Sequence, residues 1–95
     1  MRAIKWSRSA QIDIAGIDDF YHTLNPGFAR RVGLETINAA KLLADRPELG
    51  QIVPDSPYRK WRVGKTPYLV FYRFDANTFR IVRIVHAARD WRSLL

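Results

Sequence analysis

The chain has 95 residues, no cysteine and a formal net charge of +7. This length suits one small domain over residues 1–95, and the absence of cysteine excludes a disulfide framework and a thiolate zinc site. Because no stretch approaches the roughly 20 apolar residues of a membrane span, and the N-terminus lacks the apolar segment of a signal peptide, we expect a cytoplasmic protein without membrane partners.

The first quarter of the chain predicts a short strand followed by a helix. Residues 2–6 alternate weakly between polar and apolar side chains, which indicates an edge or joining strand. Ser7 is a suitable helix N-cap, because its hydroxyl accepts a hydrogen bond from the first turn. Spacings of three or four residues then place one apolar set on a single helical face: Ile14, Ile17, Tyr21 and Leu24.

A second helix is predicted directly after the first. Asn25 is the expected N-cap, and Pro26 takes the first helical position, where its missing N–H costs nothing. The helix runs to about Asp45 and has an apolar face of Phe28, Val32, Ala39, Ala40 and Leu43. The short connection requires the two helices to pack antiparallel, as a helical hairpin.

Two apolar residues, Leu34 and Ile37, lie one turn apart on the polar side of this second helix. Single exposed apolar residues are normal on protein surfaces. The alternative is an adjacent apolar pair that contacts a partner protein or a second copy of the chain.

The middle of the chain predicts a loop and then a strand. Residues 48–57 contain one glycine and two prolines and are expected to form a loop. Residues 58–63 alternate, with Tyr58, Lys60 and Arg62 on one face and Arg59, Trp61 and Val63 on the other.

The last third of the chain predicts an antiparallel hairpin. Residues 67–74 and 78–86 are rich in β-branched and aromatic residues and are separated by a short polar break. Residues 87–95 form a short helix or an extended tail. Helices grouped early and strands grouped late predict an α+β fold, with the helical hairpin on one face of a mainly antiparallel sheet. The opposite face must carry polar and charged residues or be covered by a partner.

The excess of positive over negative charge is confined to residues 58–95. Residues 1–57 carry seven basic and seven acidic side chains, whereas residues 58–95 carry nine basic side chains against Asp75 and Asp90. Such a basic half favours an anionic partner, either nucleic acid or an acidic protein segment. Solubility is the alternative explanation of the charge.

Five aromatic residues accompany these cations: Trp61, Tyr68, Phe71, Tyr72 and Phe79. A platform for stacking nucleic-acid bases is one interpretation. On strands this hydrophobic, we expect most of them to lie in the core.

Four motifs follow one another along the chain: Ser7-x-x-Ala10-x-x-Asp13-Ile14-x-x-Ile17, Leu43-x-x-x-Pro47-x-x-Gly50, Pro67-Tyr68-x-Val70-Phe71-Tyr72-Arg73 and Ile81-x-x-Ile84-Val85-His86-x-x-Arg89-Asp90-Trp91. Together they resemble the ParE/RelE superfamily of toxins from type II toxin–antitoxin systems, and the ParE-like, or plasmid stabilization, branch is the closer match. The resemblance implies the small α+β toxin fold, a cytoplasmic location and neutralisation by a cognate, ParD-like antitoxin with a segment that wraps the toxin.

The resemblance leaves the activity open, because the superfamily divides by target. RelE-like members cut mRNA in the ribosome, whereas characterised ParE-like members poison DNA gyrase. Metal-independent RNA cleavage needs a base, an acid and cations on the phosphate. The candidates are His86 as base or acid, Glu48 as an alternative base, and Arg59, Arg62, Arg73 or Arg83 as phosphate clamps. A structural hydrogen bond is the alternative role of His86.

The tail departs from the RelE-like pattern. Arg62 and Arg73 match it, but residues 87–95 lack the C-terminal tyrosine and the basic cluster of the ribonucleases. We therefore favour binding over cleavage, through a surface that contacts the target or the antitoxin and contains Arg59, Arg62, Arg73, Arg83, His86, Arg89, Trp91 and Arg92. Within this set, Trp91 is either an interface anchor or a cap on the core.

The leading hypothesis is a ParE-like toxin that binds DNA gyrase, has no enzymatic activity of its own and is neutralised by an antitoxin segment on the basic sheet face. The alternatives are a RelE-like, ribosome-dependent mRNA endoribonuclease and an inactive member that acts only in an antitoxin complex. Salt-sensitive, non-specific DNA binding by the basic face is a further possibility. With His22, His86 and carboxylates as the available ligands, we expect no metal and no cofactor.

Overall fold

A computed structural model describes residues 2–95. The α-helices are α1 (Arg8–Tyr21) and α2 (Pro26–Asp45), and the strands are β1 (Ala3–Trp6), β2 (Gln51–Ile52), β3 (Arg59–Arg62), β4 (Tyr68–Phe74) and β5 (Thr78–His86). Two short 3-10 helices span Pro47–Leu49 and Trp91–Leu94.

The strands form one sheet in the order β1-β5-β4-β3-β2. β1 pairs parallel with β5, and the remaining neighbours pair antiparallel. The two helices pack on one face, which we call the inner face, and the opposite face is the outer face. The predicted α+β fold, with a helical hairpin on a mainly antiparallel sheet and an N-terminal strand at its edge, is confirmed.

Both helices begin at the residues that the sequence indicates. The Ser7 hydroxyl accepts a hydrogen bond from the Ala10 N–H at 3.0 Å, and the Asn25 side chain accepts one from the Phe28 N–H at 3.1 Å. The prediction for Leu24 was wrong, because α1 ends at Tyr21 and leaves Leu24 in the turn, where it is 69% exposed.

The inner face supplies the main core. Along β4, Tyr68, Val70 and Tyr72 point towards the helices, and along β5 Phe79 and Ile81 do the same. All five are at most 8% exposed. The prediction that the strand aromatics are mainly structural is confirmed for these residues, and for Phe71 on the outer face; Trp61 packs partly buried against the main core.

The segment predicted as a loop after α2 contains a 3-10 helix and the edge strand β2. Its position depends on Tyr72, whose hydroxyl donates to the Pro47 carbonyl and accepts from the Gly50 N–H at 3.0 Å. Burial raises the pKa of this hydroxyl, so it stays protonated as a donor. A Cβ at position 50 would overlap the Tyr72 ring, and only glycine fits there.

Candidate functional site

The outer face of the sheet is divided into an apolar half and a basic half. In the apolar half, Val53, Phe71, Val85 and Trp91 form a second, smaller core. The ring centroids of Phe71 and Trp91 lie 5.2 Å apart, and Trp91 is 8% exposed. The expectation of a face that is polar or covered by a partner therefore needs correction, since the C-terminal segment of the chain itself covers this half.

Trp91 also orients two cations at the rim of this second core. The Lys60 Nζ lies 4.4 Å from the Trp91 ring centroid, and the Arg92 Cζ lies 4.3 Å from it. A cation at this distance from an indole is attracted by the ring's quadrupole. The buried Trp91 thus occupies the capping position and holds positive charge on the outer face.

The basic half is built from a row of cations on adjacent strands. Strand pairing places Lys5 of β1 opposite Arg80 of β5, and Arg80 opposite Arg73 of β4. All three side chains are exposed, and their chain neighbours Trp6, Phe79 and Tyr72 pack into the main core. Because side chains alternate along a strand, the three cations share the outer face. We call Lys5, Arg80 and Arg73 the basic row.

Arg59 and Arg62, two predicted contact residues, bind backbone carbonyls. The Arg59 guanidinium donates to the carbonyl of Glu48 at 3.2 Å and to that of Gly50 at 3.0 Å. The Arg62 Nε donates to the Thr66 carbonyl at 2.9 Å. Both arginines therefore fasten neighbouring turns, with part of each guanidinium left for other contacts.

Arg83, another predicted contact residue, forms an ion pair with α1. Its Nε and a terminal nitrogen donate to the two Asp13 carboxylate oxygens at 2.8 and 2.9 Å. The same carboxylate accepts the Ile84 N–H at 2.9 Å, at the point where β5 extends beyond its partner β1. The hydrogen bonds that Arg83 donates to Asp13 raise the pKa of the guanidinium above its usual value. This pair holds α1 against β5.

His86 lies at the end of β5, on the side of the helices. Its Nδ1 accepts a hydrogen bond from the Ala88 N–H at 3.1 Å, and its ring meets that of Tyr68 edge-on at 5.3 Å. Burial, together with Tyr21, raises the pKa of Tyr68 to about 12. A shallow groove of about 270 Å³ lies beside α1, and its lining includes His86, Tyr68, Arg89, Ile12 and Phe20.

The ribonuclease candidates lie at two ends of the sheet, with Arg62 and Arg83 towards the His86 end and Arg73 and Glu48 towards the other. His86 pairs with Tyr68 at one end of the sheet, and Arg73 lies five residues further along β4, on the outer face. At about 3.4 Å per residue, this separates the two backbones by about 17 Å. Glu48 lies beside Arg59, next to the Arg73 end of the sheet.

Exposed apolar residues lie on both helices. Leu34 and Ile37 on α2 are 56% and 45% exposed, in agreement with their predicted place on its polar side. Ile12 and Phe20 on α1, which were not among the predicted contact residues, are 61% and 63% exposed. Their spacing of eight residues, with Gly16 between them, places them on one side of α1, and this pattern was readable from the sequence.

Two negative findings hold for residues 2–95. No group of three or more histidine, cysteine, aspartate or glutamate side chains lies in a position to hold a metal ion. Within the same residues, neither helix has the length and hydropathy needed to cross a membrane.

Solved structures with this fold come from toxin–antitoxin systems. A chain from the chromosomal ParDE system of P. aeruginosa superimposes with a TM-score of 0.76 at 22% identity, covering 90% of this chain and 96% of that one. A chain of the E. coli DinJ–YafQ toxin–antitoxin complex gives a TM-score of 0.60 at 16% identity, covering 94% and 97%. At these identities the likeness concerns the fold.

Sequence comparisons define the family. A curated relative, Toxin RelE2 of Caulobacter vibrioides, is 33% identical over 89 residues, which cover 94% of this chain and 99% of the relative. The model of the ParE toxin of type II toxin–antitoxin systems matches residues 4–91. The chain therefore belongs to the ParE toxin family, within the ParE/RelE superfamily of type II toxin–antitoxin toxins.

Proposed function

We propose that this toxin arrests growth by binding its target, that the target is DNA gyrase, and that the toxin does not cleave RNA. The family match to ParE toxins supports the gyrase branch. The cations of the outer face and the C-terminal segment form the contact surface, with Arg62, Arg73, Arg89 and Arg92 among its exposed members. We further propose that the protein acts in the cytoplasm.

The single observation that carries this proposal is the separation of His86 from Arg73 and Glu48, two of the groups that RNA cleavage would use with it. General acid–base catalysis needs both groups and the phosphate-binding cations within hydrogen-bonding reach of one reacting phosphate. His86 and Arg73 lie about 17 Å apart along the strand and on opposite faces of the sheet. In addition, the His86 Nδ1 is occupied by the Ala88 N–H.

A cognate antitoxin completes the proposal. Solved relatives include toxin–antitoxin complexes. We propose that an acidic or amphipathic antitoxin segment covers the basic outer face, and that Leu34 and Ile37 form a separate apolar contact. Charge reversal at Arg73 and Arg92 should then weaken antitoxin binding and its suppression of growth arrest more than reversal at Arg8 and Arg46, which are exposed and belong to neither contact.

The direct test is a side-by-side assay of the purified full chain on gyrase and on ribosomes that carry mRNA. We expect inhibition of DNA supercoiling and intact mRNA. His86→Ala should retain gyrase inhibition, as should the matched control His22→Ala, which changes the exposed histidine at the end of α1.

Each other outcome identifies a different function. Site-specific cuts in ribosome-bound mRNA that disappear in His86→Ala but persist in His22→Ala would establish a RelE-like endoribonuclease, the function that the name of the Caulobacter relative favours. If the unmodified chain neither inhibits gyrase nor cleaves mRNA but binds its antitoxin tightly, it is a member that acts only within the antitoxin complex.

A further inference from the structure

We propose that the basic row of the outer face, Lys5, Arg80 and Arg73, binds the phosphate backbone of duplex DNA independently of its sequence. This inference goes beyond the proposed function, because it concerns DNA itself and requires no gyrase. The site joins residues from three strands, and one of them lies in the half of the sequence that has no net charge.

The basic row is continuous across the sheet. Lys5 and Arg80 are paired between β1 and β5, and Arg80 and Arg73 are paired between β5 and β4. Neighbouring strands lie about 4.8 Å apart, so the three backbone positions span about 10 Å. Duplex DNA carries one charge per about 1.7 Å of helix axis, and this length of duplex offers several phosphates.

The positive charge of the row is poorly compensated. Like charges directly opposite each other on paired strands repel and destabilise the fold. The pairing of Arg80 with Arg73 therefore indicates a function other than stability. Within residues 2–95, the ion pair that the structure records joins Arg83 to Asp13, outside the row. One acidic residue, Asp75, lines the groove beside Arg73, and its carboxylate accepts the N–H groups of Asn77 and Thr78.

A groove along the row has room for a phosphate. Arg73, Thr78 and Arg80 line an open groove of about 200 Å³, with Phe74 and Asp75 at its end. Arg73 and Arg80 offer guanidinium forks, and Thr78 offers a hydroxyl, all of which suit phosphate oxygens. Lys60 and Arg92, held on the ring of Trp91, extend the positive charge along the same face.

In the antitoxin-free toxin, duplex DNA fits this face better than a single strand does. Single-strand binding relies on accessible aromatic rings that stack on bases. Here Phe71 and Trp91 are buried against each other, and Tyr58 packs on the same small core. The exposed ring of Phe74 already has the guanidinium groups of Arg2 and Arg59 at 5.4 and 5.9 Å from its centroid. A repeating array of backbone phosphates requires only the charges that the row provides.

The test measures binding of a 20-base-pair fluorescent duplex to the purified full chain over a range of salt concentrations. Log affinity should fall linearly with log salt. The triple variant K5Q/R73Q/R80Q should lower the slope by about 2.7, since each phosphate contact contributes about 0.9. The matched control R30Q/R31Q/K41Q removes the same charges from the solvent side of α2 and should change the slope far less.

Two outcomes would overturn the proposal. Equal losses in the two triple variants would mean that net charge alone attracts DNA. Tighter binding of single-stranded DNA than of the duplex at the same salt would assign the row to another partner. Because all six residues are exposed, both variants should fold, and circular dichroism checks this. The single variant R80Q should lower the slope of log affinity against log salt by about 0.9, which provides an independent measurement.

Discussion

The two faces of the sheet use the same strands for different purposes. On the inner face, Tyr72 and Phe79 are fully buried beneath the helices. On the outer face, the adjacent residues Arg73 and Arg80 are exposed and repel each other. At the end of β4 and β5 that carries Arg73 and Arg80, the buried contacts that stabilise the fold lie on the inner face. The outer face at this end is therefore free to carry charge.

The outer face is itself divided in the same way. Phe71 is fully buried under Trp91, whereas Arg73, two residues along the same strand and on the same face, is exposed. The C-terminal segment therefore covers the half that is apolar and leaves the basic half open. Five substitutions test how far these regions are independent.

The largest effect is expected for Phe79→Ala in the main core. Phe79 is 0% exposed, and truncation of such a side chain costs about 3–5 kcal/mol of unfolding free energy.

Trp91→Ala should cost about 1.5–3 kcal/mol, because the end of the chain can detach without opening a cavity in the main core. Urea denaturation measures both. Equal losses would show that the two cores form one cooperative unit.

The next effect is expected for Asp13→Ala, which breaks the attachment of α1 to β5. The change leaves Arg83 without its ion-pair partner and the Ile84 N–H without its acceptor. Hydrogen bonds to charged groups contribute about 1.5–3 kcal/mol, and we expect a loss of this size. Asp18→Ala on the exposed side of α1 is the matched control. Similar stability of the two variants would contradict this role of Asp13.

A smaller loss, about 1–2 kcal/mol, is expected for Tyr72→Phe, which removes the hydroxyl that joins Pro47 and Gly50. Burial raises the pKa of this hydroxyl, so its contribution is fully present below the ordinary tyrosine value of about 10 and is lost as the pH rises through the folded-state pKa. The variant should therefore lose less stability at alkaline pH than the wild type. If the wild type and the variant lost the same free energy of unfolding at alkaline pH, this role of the Tyr72 hydroxyl would be refuted.

The smallest effect is expected for Arg80→Gln, and it has the opposite sign. Relief of the repulsion between Arg80 and Arg73 should stabilise the fold by about 0.2–1 kcal/mol. The same change should weaken DNA binding and its salt dependence. Thermal unfolding and the duplex titration test the two halves of this prediction. A loss of stability would mean that Arg80 has a structural role that outweighs the repulsion.

Much of the inner face was predictable from local patterns. The N-caps Ser7 and Asn25, the apolar stripes of the helices and the polar turn after Phe74 each depend on residues close together in sequence. Leu24 was misassigned because spacing alone does not show where a helix ends. The edge strand β2 was missed because its placement depends on the hydrogen bonds that the Tyr72 hydroxyl accepts from Gly50 and donates to Pro47, more than twenty residues away.

The candidate site was predictable in composition and unpredictable in arrangement. The excess of cations after residue 57 correctly indicates a basic surface. Arg83 was grouped with that surface, but it pairs with Asp13, seventy residues earlier in the chain. Lys5 was not included, although the parallel pairing of β1 with β5 aligns it with Arg80. Both facts depend on contacts between residues that are far apart in sequence.

The sequence by itself determined the α+β fold, the toxin family and the sign of the charge that a partner meets, because periodicity, motifs and net charge are local or additive properties. Only the tertiary structure decided which cations form one row, that Trp91 covers the apolar half of the outer face, and that His86 lies away from Arg73. Strand order and register set these positions, and both arise from pairing between distant segments.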